Sequence, residues 1–481
     1  MASANSLRSL MRPSIPVAPR LYPIISSSFS TTTALSAVTG RAPKSSVVTS
    51  TKMKKNFKKG GGSTSAPMKK PNPGERKAFR KRIQLSNNSA LAVEGIEVLK
   101  ADTLAQGSSA GKMFSVPDEI IDQLRTLEAF KATQAWNLFR KPHFLARKEA
   151  VELGSRLENA AKKKEAEKIV LTGSKLSGKS LAVLQAISYA LLNKWVVINI
   201  PEAQDLTNGN TDYAQIPNTE PAVYSQPVYV LRLLQTIYKA NKAVLESLKV
   251  EKDWSLTGLQ KGNSLAELIL TCKESEFAWT TFNALWTELT LPGRPPVLFS
   301  LDGLSHISKL SQYRDPAFNL IHSHDLALVR TFVDALSGKT KLPNGGAVIA
   351  STSGNNMQFH PSQELVLAQL EAGQSGKPIP KPDPYEKNYD ERVYESLKNT
   401  SVLRIEGINH DDTKTLMGYW AASGLLRNVV NNHTIREKWA LAGNGNVGEM
   451  ERLNDSIKLH GTTSHAFSPN PFPKRQEDLQ S

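Results

Sequence analysis

Five short apolar runs, rich in β-branched residues, recur along the middle of the chain. They are Lys168–Thr172, Trp195–Ile200, Val297–Asp302, Gly346–Ser353 and Ser401–Ile405. Runs that are apolar without alternation are expected of strands covered on both faces. Between them lie segments in which apolar residues return every three or four positions, the spacing of helices that bury one face. Strands alternating with such helices predict an α/β fold, a doubly wound parallel sheet.

The same pattern divides the rest of the chain. Ile120, Ile121, Leu124, Leu127 and Phe130 repeat at helical spacing, and a further helix is predicted over Phe144–Lys163; together they form an N-terminal helical segment over 116–165. Residues 166–410 read as the core, with an insertion at about 205–295 between the second and third strands. The insertion opens on an exposed loop, Gln204–Gln226, and continues through helices at Tyr229–Lys242, Leu265–Cys272 and Phe277–Leu291. An insertion of that size is expected to be an interaction module. Gly376–Tyr389 is a proline- and charge-rich loop. Residues 411–460 predict a small helical unit, a lid or platform: Asp411-Asp412 caps a helix through Leu416, Met417, Tyr419, Trp420 and Leu425, and a second starts near Gly448. A polar tail, 461–481, follows.

Charge changes this picture at the N-terminus. Met1–Arg82 holds 17 Lys and Arg against one acid, Glu75, which accounts for the whole net charge of +16. The remainder is electroneutral. Residues 1–40 contain arginines, many Ser and Thr and no acid, the composition of a mitochondrial transit peptide. Residues 41–115 read as a basic extension and linker, the final part, 83–115, being a linker or surface-bound extension. Within the extension, Lys52 to Arg82 form a cationic arm with Phe57 and Phe79 interleaved. Such an arm gains affinity for RNA by releasing counterions and can stack aromatics on bases. The single cysteine, Cys272, excludes an internal disulfide framework and a Cys-based zinc site. No apolar run is long enough for a transmembrane helix, so no membrane partner is expected.

Candidate chemistry centres on Gly173-Ser174-Lys175-Leu176-Ser177-Gly178-Lys179-Ser180, with Leu181 opening the helix that follows. It fits G-x-x-x-x-G-K-[ST] and lies between a predicted strand and a predicted helix, the context a phosphate-binding loop requires. Gly173 and Gly178 let the backbone turn its N–H groups toward phosphate oxygens, and the helix N-terminus adds partial positive charge. Lys179 is expected to reach the β- and γ-phosphates; Ser180 is expected to ligate Mg²⁺, with Asp302, at the end of the third strand, holding the ion through water. Gly303 stands where catalytic ATPases of this architecture place a glutamate that polarises the attacking water. No NKxD guanine-reading motif and no arginine finger are identifiable. The site therefore reads as one that holds a nucleotide and hydrolyses it slowly or not at all, with no catalytic residue assigned. His322-Ser323-His324 is expected to be a pair of surface histidines rather than a metal site.

These motifs, taken in order, resemble one family: the GTP-binding protein of the mitochondrial small ribosomal subunit, known in animals as death-associated protein three. Lys168–Ser180 resembles its loop-bearing strand and turn, and Trp195–Asp205 (WVVINIPEAQD) its second strand. Leu301–Leu304 (LDGL) resembles its Walker B segment, where Asp is likewise followed by Gly. Gly345–Ser353 (GGAVIASTS) resembles its fourth strand, and Gly443–Leu453 (GNGNVGEMERL) its Asn-rich turn and helix. The family's usual Thr at the loop's end is Ser180 here, which keeps the hydroxyl.

The resemblance implies a P-loop NTPase core of AAA+-like type in the mitochondrial matrix, embedded in the small subunit of the mitoribosome. It implies contacts with small-subunit rRNA, with neighbouring small-subunit proteins and with the large subunit through intersubunit bridges, and no homo-oligomer. It also implies bound GTP or GDP with Mg²⁺, ATP being the alternative that no base-reading motif excludes. The competing readings are a mitochondrial AAA+-type ATPase acting in remodelling or assembly, and a P-loop small-molecule kinase. The kinase reading needs a lid with clustered arginines, and Arg404, Arg427 and Arg436 are scattered.

Overall fold

The computed structural model describes residues 83–254, 261–353, 360–426 and 429–458. The expected transit peptide, the cationic arm, Arg427 and the C-terminal tail lie outside the described residues.

Five parallel strands form the central sheet: β1 (Ala166–Thr172), β2 (Val196–Ile200), β3 (Val297–Asp302), β4 (Gly346–Ser351) and β5 (Ser401–Arg404). Their order across the sheet is β5-β1-β4-β3-β2. All five match the predicted runs to within two residues at either end. The reason is visible in their burial: every residue of β2 and β4 is buried, so no polar face interrupts the apolar pattern. The register places Ser351, at the end of β4, beside Leu171 of β1 and Asp302 of β3. The carboxyl ends of these strands thus share one edge, where α/β sheets bind ligands.

Two apolar layers cover the sheet. On one side, helices Lys148–Lys163 and Lys179–Leu192 bury Leu157, Leu184 and Ile187 against Ile169, Val197 and Ile349. On the other, insertion helices Pro227–Ala240 and Ala278–Leu289 bury Leu234, Ile237, Phe282 and Leu285, together with Phe332 of helix Ala327–Ser337, against Ile198 and Phe299. The insertion is therefore a structural layer of the body, whatever it binds on its outer face. Fully buried Glu288 ties it down, accepting from the N–H groups of Glu251 (3.1 Å) and Lys252 (2.9 Å) and from Arg294 (2.7 Å).

Several local expectations change. Phe144–Ala146 is not helical: His143–Ala146 is a strand paired antiparallel with Lys112–Ser115, and the helix begins at Lys148. A short apolar run leading into a helix gives no periodicity with which to separate the two. Residues 83–115, expected as a linker or surface-bound extension, form a packed layer, with Leu85, Leu99, Leu104 and Phe114 buried. The loop at Gln204–Gln226 is only partly exposed, since Leu206, Tyr224 and Gln226 are buried. The C-terminal helix His410–Ala422 is capped by Asn409, whose side chain accepts from the Asp412 N–H at 2.7 Å, rather than by Asp411-Asp412; Leu425 falls beyond its end. An additional helix, Asn432–Leu441, lies between the two predicted ones. It buries only Ile435 and so carries almost no apolar signal.

Candidate functional site

The glycine-rich stretch leaves β1 as a tight loop, and its conformation explains its composition. Gly173 has φ +136°, and a Cβ there would sit 2.2 Å from the Ile405 carbonyl oxygen. Gly178 has φ +103° and forms the N-cap of helix Lys179–Leu192. That helix's first turn presents N–H groups with no acceptor inside the helix, at the mouth of the loop. Leu176 also holds a left-handed conformation, φ 63°.

Three predicted residues converge here. The Lys179 ammonium turns back over the loop and donates to the carbonyls of Gly173 (2.8 Å) and Ser174 (2.6 Å). Burial holds Lys179 below the usual lysine range, opposed by the Asp302 carboxylate. Ser180 Oγ donates to Asp302 Oδ2 at 2.7 Å. The other carboxylate oxygen, Oδ1, accepts from the Ser351 hydroxyl. Lys175, Leu176, Gly178 and Leu181 line the adjoining cavity. Ser174 contributes its carbonyl to Lys179. Ser177 Oγ is buried and finds no hydrogen-bond partner among the described residues.

The cavity encloses about 520 Å³, within the size range of small-molecule and cofactor sites. Its aromatic wall comes from segments outside the glycine-rich motif. Trp136 is fixed by Phe130, edge-on at 5.3 Å, while Tyr419 stacks on Phe139 at 5.2 Å and bonds His143 Nδ1 at 2.9 Å. Hard oxygen donors at Ser180 and Asp302, a lysine and a glycine loop at a helix N-terminus form a set suited to a phosphate and a divalent cation.

Three groups whose roles sequence reasoning did not assign support the site, two of them holding the loop and one meeting Asp302. Buried Arg147 donates through Nη1 to the Ser177 carbonyl at 2.6 Å and through Nη2 to the Glu406 carbonyl. It keeps Glu149 at 3.3 Å as its counter-ion. Asn446 donates to the Lys175 carbonyl at 2.8 Å, and the Gly448 N–H to the Leu176 carbonyl at 3.2 Å. A Cβ on Gly448 would lie 2.7 Å from Leu176 Cβ, so the close approach requires glycine. The GNGNVGE stretch thus clasps the outside of the loop. Lys131 is the third group, its Nζ 2.9 Å from Asp302 Oδ2. Arg147 and Lys131 have no sequence signal beyond residue type, and the GNGNVGE stretch stood out only as a family-like motif with no role assigned, because each reaches the site only through the tertiary fold.

Gly303, φ +95°, has no side chain to polarise a water, and its N–H is committed to the Ser351 carbonyl at 3.0 Å. His306, one turn on, lines the cavity; burial first, then the charge of Lys309, holds it below the usual histidine range. The His322/His324 pair is not on the surface as expected: both are buried, with rings 4.7 Å apart, and His322 Nε2 lies 3.1 Å from Asp390 Oδ2.

A family model described as mitochondrial ribosomal death-associated protein 3 matches residues 144–453. Over 468 residues the chain is 45% identical to the small ribosomal subunit protein mS29 of Neurospora crassa, covering 94% of this chain and 99% of that one. Similarity to the protein of the same name from Schizosaccharomyces pombe is 24% over 335 residues, covering 68% of this chain and 67% of that one. For the Bos taurus protein it is 23% over 240 residues, covering 48% and 59%. A solved chain from an E. coli MS115-1 HORMA:CdnC:Trip13 complex is similar over 77% of this chain and 94% of its own at 13% identity, with a TM-score of 0.28.

Proposed function

Because the chain belongs to the mitochondrial ribosomal death-associated protein 3 family, we propose that its glycine-rich loop holds a guanine nucleotide with Mg²⁺ inside the small subunit of the mitochondrial ribosome. The chain is a mitochondrial protein and a structural component of that subunit. The nucleotide reading rests on one observation: Lys179, Ser180 and Asp302, spread over 124 residues of numbering, meet at the edge of a cavity of about 520 Å³. Lys179 would leave the loop carbonyls to neutralise phosphate oxygens, and the loop's N–H groups would supply the remaining donors. Ser180 and Asp302 would hold the cation, which screens phosphate charge when bound. The preference for guanine over adenine comes from the family resemblance alone.

The ligand acts here as a stabiliser of the native state. A nucleotide that binds only the folded chain deepens its stability by mass action. Gly303 supports slow hydrolysis or none, and weighs against the remodelling ATPase. The core is proposed to be AAA+-like, and the cationic arm at 52–82 to engage small-subunit rRNA. Neighbouring subunit proteins and bridges to the large subunit complete the proposed contacts.

Binding of a fluorescent GDP to the purified chain tests the site. Wild type binds saturably, and Lys179→Ala weakens binding by at least about tenfold, since a charge-assisted phosphate contact is lost. Equal affinity of the two proteins would overturn the proposed site.

A further inference from the structure

The described residues place a second lysine at the position where the cation is expected. Lys131 Nζ lies 2.9 Å from Asp302 Oδ2, the same oxygen that accepts from Ser180 Oγ, and it also donates to the carbonyl of Pro201 just beyond β2. The pair is largely enclosed, with side-chain exposures of 17% for Lys131 and 13% for Asp302.

This contact is built rather than casual. Gln134 closes a turn around Lys131: its Oε1 accepts from the Lys131 N–H at 2.9 Å and from Trp136 Nε1 at 2.8 Å, and its own N–H donates to the Lys131 carbonyl at 3.1 Å. Upstream, the Leu127 carbonyl accepts from Asn199 Nδ2 of β2 at 2.8 Å, and Asn199 Oδ1 accepts from Ser300 of β3 at 2.8 Å. The backbone that delivers Lys131 is thus anchored upstream to the sheet that carries Asp302 and closed downstream by the Gln134 turn. A lysine held in this way does not sample solvent freely as a surface lysine does.

We propose that Lys131 is a resident cation of the nucleotide site, occupying the Asp302 carboxylate oxygen that Ser180 also bonds and yielding it to a divalent cation only when displaced. The proposal rests on the nucleotide reading above and deepens it. A fixed positive charge at hydrogen-bond distance from the carboxylate disfavours a second cation on the same oxygens, because like charges repel strongly where water is largely excluded. Lys131 therefore sets the site's demand for metal: the carboxylate stays neutralised when no divalent ion is present, and divalent affinity is lowered in exchange.

The test uses Mn²⁺ as probe on the full chain, with free Mn²⁺ followed by electron paramagnetic resonance in the absence of nucleotide. Lys131→Met keeps much of the stem and removes the charge; it should tighten Mn²⁺ binding by at least about tenfold. Lys131→Arg, which keeps a cation, should stay within about twofold of wild type. Adding Asp302→Asn to Lys131→Met should abolish the gain. Lys131→Gln replaces Lys131→Met if the latter does not fold. Equal Mn²⁺ affinity in wild type and the uncharged variant would overturn the proposal, as would a gain that survives Asp302→Asn. Fluorescent GDP binding is measured in parallel on wild type. Its absence would sink the nucleotide reading, while the metal titration still decides the role of Lys131.

Discussion

Ser180 Oγ lies 2.7 Å from Asp302 Oδ2, a contact that joins the first turn of one helix to the end of a strand 122 residues away. It aligns the hydroxyl and the carboxylate on one point before any ligand arrives. Ser180→Ala removes the hydroxyl and leaves Asp302 with Ser351 and Lys131 as partners. GDP affinity measured in Mg²⁺ should fall by about tenfold, the size of one contact to a charged group. Affinity measured in EDTA should barely move. A loss of the same size in both conditions would mean that Ser180 serves the loop and not the metal.

The clasp from the C-terminal unit gives a second expectation. Asn446→Ala removes the donor to the Lys175 carbonyl, an exposed bond whose net contribution is about 1 kcal/mol. Global stability should change little, while amide exchange across 174–178 should quicken. Unchanged exchange in that segment would show that the Gly448 contact alone suffices.

Buried histidines set an acid limit. Burial, and next the neighbouring His322, push His324 down to about 3. A histidine whose folded value is depressed takes up its proton more readily when unfolded. Its contribution is therefore complete above about pH 6.5 and is lost as pH falls toward 3. Urea denaturation should show stability lower by about 2 kcal/mol at pH 5 than at pH 7, and His324→Gln should flatten that slope. An unchanged slope in the variant would assign the pH dependence to other groups.

The sheet was legible because its strands carry short, largely apolar and non-alternating runs, and the glycine-rich loop because its turn needs glycine at fixed spacing. Lys179, Ser180 and Asp302 could be named from local pattern alone. Lys131 and Arg147 could not, and Asn446 stood out only as part of an Asn-rich, family-like turn: a loop lysine, an arginine beside a lysine and a turn asparagine gain a role only from what the fold brings near them. His322 and His324 misled for the related reason that polar identity suggests exposure, whereas their rings pack against each other in the interior. Phe144–Ala146 misled because strand and helix starts look alike over three apolar residues.

We propose that this small-subunit protein carries a guanine nucleotide as a structural ligand. Gradient sedimentation of mitochondrial lysate at low and high salt, with the nucleotide then released and identified from the small-subunit fraction, tests it most directly. The chain is expected to stay with the small subunit at high salt and to carry GDP or GTP. A free pool of the chain that turns over ATP, with no guanine nucleotide on the subunit-bound fraction, would contradict it.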